Sequence, residues 1–198
     1  MRKYIYFLLL IVLTLPIFAK EYSIGVARFS GANVNEEHLD IITDRLELEI
    51  SKKNIYKVID RRNIEKIIEE HKLQFSGSID ESTAVELGKL AGLDNIVLGS
   101  VALFGSSSYM TSVKMIDVET GQILSESMHN NNNGIESLIK STLNTIAEDI
   151  TVCIGSIHSN KYHRLNCEWA KKIKSKNMLK ITINEFEKKK YVKCKVCW

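Results

Sequence analysis

Four residues near the C-terminal end carry the clearest chemistry in this chain. His163 and Cys167 stand in an H-x3-C spacing, and Cys194 and Cys197 follow, after 26 intervening residues, as C-x2-C. A two-residue gap lets both thiolates of a tight turn point at one ion. A three-residue gap lets an imidazole and a thiolate do the same across a turn or the first turn of a helix. Tetrahedral Zn2+ favours such mixed sulfur and nitrogen sets. Three thiolates and a neutral imidazole around the ion leave one net negative charge, and the neighbouring lysines favour deprotonated thiols. With four protein ligands no coordination position stays open for water. The expected role is therefore structural, not hydrolytic.

The competing reading is disulfide bonding, the default for four cysteines in an exported protein, with His163 an ordinary surface residue. Cys153 would complete an even set. It lies in an apolar, strand-like stretch, however, and reads as a small buried residue, while His158 reads as surface polar. A module of fewer than about 50 residues needs a staple of one kind or the other.

The elements that position these ligands divide the chain by charge. Residues 20–150 hold 13 basic and 21 acidic residues, net −8, whereas residues 151–198 hold 12 basic and 3 acidic, net +9. An acidic body with a basic tail predicts two parts and sends the tail towards anionic partners. The N-terminus reads as a signal peptide over residues 1–19. Arg2 and Lys3 precede an apolar run too short to span a bilayer comfortably, Pro16 breaks it, and Ala19 suits the last residue before cleavage. The segment has no cysteine for lipid attachment. Whether cleaved or kept as an anchor, it directs the rest of the chain out of the cytosol, into the periplasm.

Within residues 20–150 the pattern predicts strand 22–29, helix 36–51, strand 55–59, a helix capped by Asp60, and a polar loop at 74–79. A helix capped by Asp80 or Ser82 follows, then strands 95–104, 109–117 and 122–128, an asparagine loop at 130–133 and a last helix to about Ile150. The expected class is α/β. A mixed sheet should start with a parallel βαβ unit and end in an antiparallel meander, with helices packed on it. A small zinc-stabilised α+β module completes the chain over residues 151–198.

Several segments occur in an informative order: Ile24-Gly25-Val26-Ala27-Arg28-Phe29-Ser30-Gly31, Lys57-Val58-Ile59-Asp60-Arg61, Phe75-Ser76-Gly77-Ser78, Leu87-Gly88-Lys89-Leu90-Ala91-Gly92 and Met115-Ile116-Asp117-Val118-Glu119-Thr120-Gly121. Together they resemble the CsgG-type domain of bacterial envelope proteins over residues 22–150. That family includes the curli-secretion component and penicillin-binding-protein activators. The resemblance implies a periplasm-facing α/β domain that docks to envelope proteins, cell-wall synthesis machinery among them, and performs no catalysis. It leaves homo-oligomerisation open. Two departures stand out: the missing lipid-attachment cysteine, and the short turns between residues 95 and 128, which argue against a membrane pore.

Residues 155–198 of the tail resemble the metal-binding domain of the Ada DNA-repair family. The likeness rests on Tyr162-His163, Cys167, Trp169-Ala170, Glu185-Phe186 and Cys194-Lys195-Val196-Cys197. His163 stands where Ada carries its methyl-accepting cysteine, so methyl acceptance does not transfer. Tyr162 and Trp169 are expected to pack the small core.

No catalytic residues emerge. Gly88-Lys89 lacks the glycine-rich run of a phosphate loop, residues 105–108 lack the second glycine of a nucleophile elbow, and Glu69, Glu70 and His71 read as a solvated helix end. Lys171, Lys172, Lys174 and Lys176 form either a phosphate-contacting patch or a solvated rim. The sequence thus points to an exported binding or scaffold protein of the envelope with a structural zinc module. The alternative is a nucleic-acid-binding protein that reads with its basic tail.

Overall fold

The computed structural model describes residues 21–71 and 79–198. The expected signal peptide and nearly all of the expected loop at 74–79, with its Phe75-Ser76-Gly77-Ser78 segment, fall outside them.

The body is a six-stranded mixed sheet. Strand β1 (Ser23–Val26) lies between β3 (Lys57–Ile59) and β4 (Asn95–Phe104), parallel to both. Helix α1 (Glu36–Lys52) connects β1 to β3, which makes the expected parallel βαβ start. Strands β4, β5 (Ser108–Asp117) and β6 (Ile123–Asn131) form the expected antiparallel meander, with the order β3-β1-β4-β5-β6. The chain is α/β with helices packed on both faces of this sheet.

Alternation along each strand supplies the two faces. On one, Leu39, Ile42, Leu46 and Ile50 of α1 meet Val97, Val101, Val113 and Met115. On the other, Ile64 of α2 (Arg61–Glu70) and Ala84 and Leu87 of α3 (Glu81–Leu90) meet Ile96 and Ile116. Helix starts are fixed by side chains that accept otherwise orphaned N–H groups. Asn35 accepts from His38, Asp60 from Arg62, and Asp80, rather than Ser82, from Thr83.

Three local features depart from the pattern reading. Ser30–Ala32 forms a short strand, β2, parallel to β4, where Gly31 lies so close under Leu39 that a Cβ would stand 2.7 Å from its methyl. The asparagine run is not wholly loop. Asn130 and Asn131 extend β6, and the buried Asn131 amide donates to Ser137 and Thr142. The last helix is also segmented. Helix α4 (Gly134–Ser137) leads through a π-helical turn (Leu138–Thr142) into α5 (Leu143–Ile150), whose Leu143, Ile146 and Ile150 join the face that α1 covers.

Residue Thr151 then starts a second, four-stranded sheet without a linker. Its order is β10 (Val192–Lys193), β8 (Lys161–His163), β7 (Val152–Ser156), β9 (Met178–Thr182), with α6 (Glu168–Lys171) and α7 (Ile183–Lys188) between strands. The body and this sheet share one apolar cluster that runs from Ile24 through Ile146 to Val152, Tyr162 and Phe186. Hydrogen bonds cross the same boundary. The Ile183 N–H donates to the Thr151 carbonyl at 3.0 Å, and the Val152 N–H donates to the Tyr56 hydroxyl at 3.3 Å.

Candidate metal centre

Strand β8 is the platform. Alternation along it points Tyr162 and His163 to opposite sides, and both are buried. Tyr162 stacks on Phe186 of α7, with centroids 5.2 Å apart and planes 3° from parallel, and its hydroxyl donates to Glu187 at 3.0 Å. His163 is thereby held on the other side of the strand.

Two local devices bring the thiols to it. After β8 the chain turns so that the Cys167 N–H donates to the Arg164 carbonyl, placing Cys167 as the N-cap of α6. A cap residue normally spends its side chain on the helix. Cys167 makes no such bond, and its sulfur lies 3.4 Å from His163 Nδ1. Strand β10 pairs parallel to β8, and the Cys194 N–H donates to the Tyr162 carbonyl at 2.9 Å. That register lays Cys194 beside His163. The turn at residues 195–197 then carries Cys197 back over the same point.

The ligand atoms of His163, Cys167, Cys194 and Cys197 all lie within 4.8 Å of one another, the first three buried and Cys197 half-buried. The edges of a Zn2+ tetrahedron, built from bonds of about 2.0–2.3 Å, run from about 3.4 to 3.8 Å. The four residues fit a cation of that size and preference. All four cysteines are free thiols. His163, Cys167, Cys194 and Cys197 thus form a cluster that could hold a metal ion.

The electrostatics suit a cation as well. Burial, with Lys161 nearby, lowers the His163 pKa and favours the neutral imidazole that can ligate. Burial works against ionisation of Cys194. The N–H groups of Val196 and Cys197 and the neighbouring thiols nevertheless point at its sulfur and hold it below the ordinary thiol value. Cys197 is pushed up to about 12, by burial first and then by the sulfurs beside it, against a hydrogen bond from the Arg164 backbone. A divalent ion would relieve this crowding of sulfurs.

Trp198 packs against the cluster, edge-on to Tyr162 at 5.7 Å, with the Arg164 guanidinium 5.0 Å and the Lys193 ammonium 4.9 Å from its ring. Trp198 thus takes the place in the small core expected of Trp169, which points outward and is 54% exposed because its neighbour Ala170 is the residue of α6 that faces inward. Cys153 is fully buried in β7 outside the cluster, and burial raises its thiol pKa far above the ordinary value. His158 is exposed.

Nothing comparable assembles among the described residues of the body. His129 and Ser127 both meet Asp149, at 2.7 and 3.1 Å, so the carboxylate separates the two side chains instead of orienting a base towards a nucleophile. Gly105 makes a turn at positive φ, and Glu69, Glu70 and His71 form an exposed helix end. No described helix is long and apolar enough to cross a membrane.

Comparison with known proteins bears on the body. No curated protein matches the chain in sequence. Among solved structures, the lipoprotein GNA1162 from Neisseria meningitidis is similar at 15% identity and a TM-score of 0.50, covering 65% of this chain and 99% of that one. The C-terminal domain of LpoB from Salmonella enterica is similar at 12% identity and a TM-score of 0.49, covering 64% and 93%. The first of these likenesses shows the fold. Residues 19–112, just under half of the chain, match the family described as the curli production assembly/transport component CsgG.

Proposed function

We propose that this is an exported, non-enzymatic binding or scaffold protein of the bacterial cell envelope. Residues 20–150 form its docking domain, and residues 151–198 form an Ada-like module held by structural zinc. The match of residues 19–112 to a curli assembly and transport component carries the docking half of this reading. It is a family named for assembly and transport, not for a reaction.

The four-ligand cluster carries the zinc half. His163, Cys167, Cys194 and Cys197 would hold the ion and fill its coordination. Zinc would then supply folding free energy to a module with little core of its own. The proposed partner is an envelope protein, with cell-wall synthesis machinery among the candidates. Self-association is compatible with the same docking role. No residue constellation among the described residues supports catalysis.

In-cell crosslinking of the full chain, followed by identification of what is captured, tests the docking role. An envelope protein captured through residues of the body supports it. Capture of nucleic acid through the basic tail, with a salt-dependent mobility shift, would replace it with the nucleic-acid reading.

A further inference from the structure

We propose that the face of the tail formed by Trp169, Lys172, Lys174 and Lys176 is a docking surface for a lipid bilayer with anionic headgroups. Three pieces of chain converge there: the β7–β8 turn, helix α6, and the 3-10 turn Ser175–Asn177. The Ile157 N–H donates to the Asn177 carbonyl at 3.0 Å, which ties the first piece to the third. Ser156, His158, Trp169 and the three lysines line one shallow cavity between them.

The composition of this face is unusual for a solvated rim. Trp169 is 54% exposed and does not serve the metal cluster. Exposed apolar groups ringed by charge mark contact surfaces. Tryptophan in particular favours the headgroup level of a bilayer, and lysine stems can lie along apolar surface while the ammonium reaches out. Residues 157–180 hold seven basic residues and one acidic one, Glu168, which Lys171 already binds at 2.6 Å. The body carries net −8 and would be repelled by the same bilayer, so the molecule would approach tail first.

A bilayer fits these observations better than a nucleic acid does. The Lys172 ammonium stands 4.6 Å from the Trp169 ring centroid and occupies a face on which a base would stack. The cavity's cations are lysines, compact point charges, and not the arginine forks suited to paired phosphate contacts. The surface would act in this way whether or not the body docks to a protein.

The test uses protein lacking residues 1–19, so that the N-terminal apolar run cannot itself insert. Binding to phosphatidylcholine vesicles is compared with binding to vesicles containing about one-third phosphatidylglycerol, where a tenfold or greater preference is expected. Raising salt to about 0.5 M, where the screening length falls to a few ångströms, should abolish it. Lipid-borne bromine should quench emission from wild-type protein and lose most of that effect in Trp169→Phe. The triple variant Lys172→Glu, Lys174→Glu, Lys176→Glu should weaken anionic-vesicle binding while leaving metal content unchanged. Equal affinity for neutral and anionic vesicles would overturn the proposal, as would unquenched wild-type emission. So would binding to a single-stranded oligonucleotide without binding to vesicles.

Discussion

Tyr162 lies flat on Phe186 while the next residue, His163, reaches the opposite side of the same strand to meet Cys167 at 3.4 Å. One three-residue strand therefore joins two kinds of cohesion. Its stacked ring belongs to the apolar cluster that continues into the body, and its imidazole belongs to the thiol cluster.

Phe186→Ala should cost about 3–5 kcal/mol, as for other fully buried phenylalanines. Because that cluster reaches Ile24 of the central strand, urea denaturation should show one transition with a lowered midpoint for body and tail together. Two separated transitions would mean that the two sheets do not share their stability.

Gly99 is fixed by a close approach. A Cβ there would stand 2.0 Å from the Phe29 ring, so Gly99→Ala should destabilise the protein by about 1–3 kcal/mol. Phe29→Leu in the same background should recover part of the loss, a coupling that a double-mutant cycle measures.

Asp149 binds across the boundary between body and tail, accepting from Ser127 and His129 on one side and Asn184 on the other. Burial alone would raise its pKa, but these hydrogen bonds outweigh burial and hold the carboxyl below its ordinary value. Its stabilising contribution is present above the unfolded carboxyl value of about 3.9 and fades as pH falls through the lower folded value. Asp149→Asn should accordingly be less stable than wild type at neutral pH, and the gap should close below about pH 4. Comparing the two proteins cancels any acid sensitivity of the thiol cluster, which they share.

Replacement of single cysteines should sort them by role. Cys167→Ser, Cys194→Ser and Cys197→Ser should each lower metal content and loosen the tail, because each removes one of four ligands. Cys153→Ala should keep its metal, since that thiol lies in the apolar cluster. Metal analysis of the purified variants reads this out directly.

The helices, the parallel start and the antiparallel meander were legible because each rests on a local period that tertiary packing does not override. The clustering of His163, Cys167, Cys194 and Cys197 was legible for the same reason, since each pair is brought together by one turn. What escaped notice depended on distant partners. Strand β2 exists because Gly31 can tuck under Leu39. Asn131 stays in β6 because Ser137 and Thr142 accept its amide. Which tryptophan packs the small core was decided by the direction in which α6 turns Ala170. The second sheet begins at Val152, where the charge changes sign, but charge says nothing of the apolar cluster that crosses the junction at Thr151.

Native mass spectrometry of the purified protein is the most direct measurement of whether a bound ion holds the tail. One zinc ion per chain, with all four thiols alkylated after denaturation in chelator, is the predicted result. A metal-free chain whose mass shows two sulfur–sulfur bonds would contradict the account.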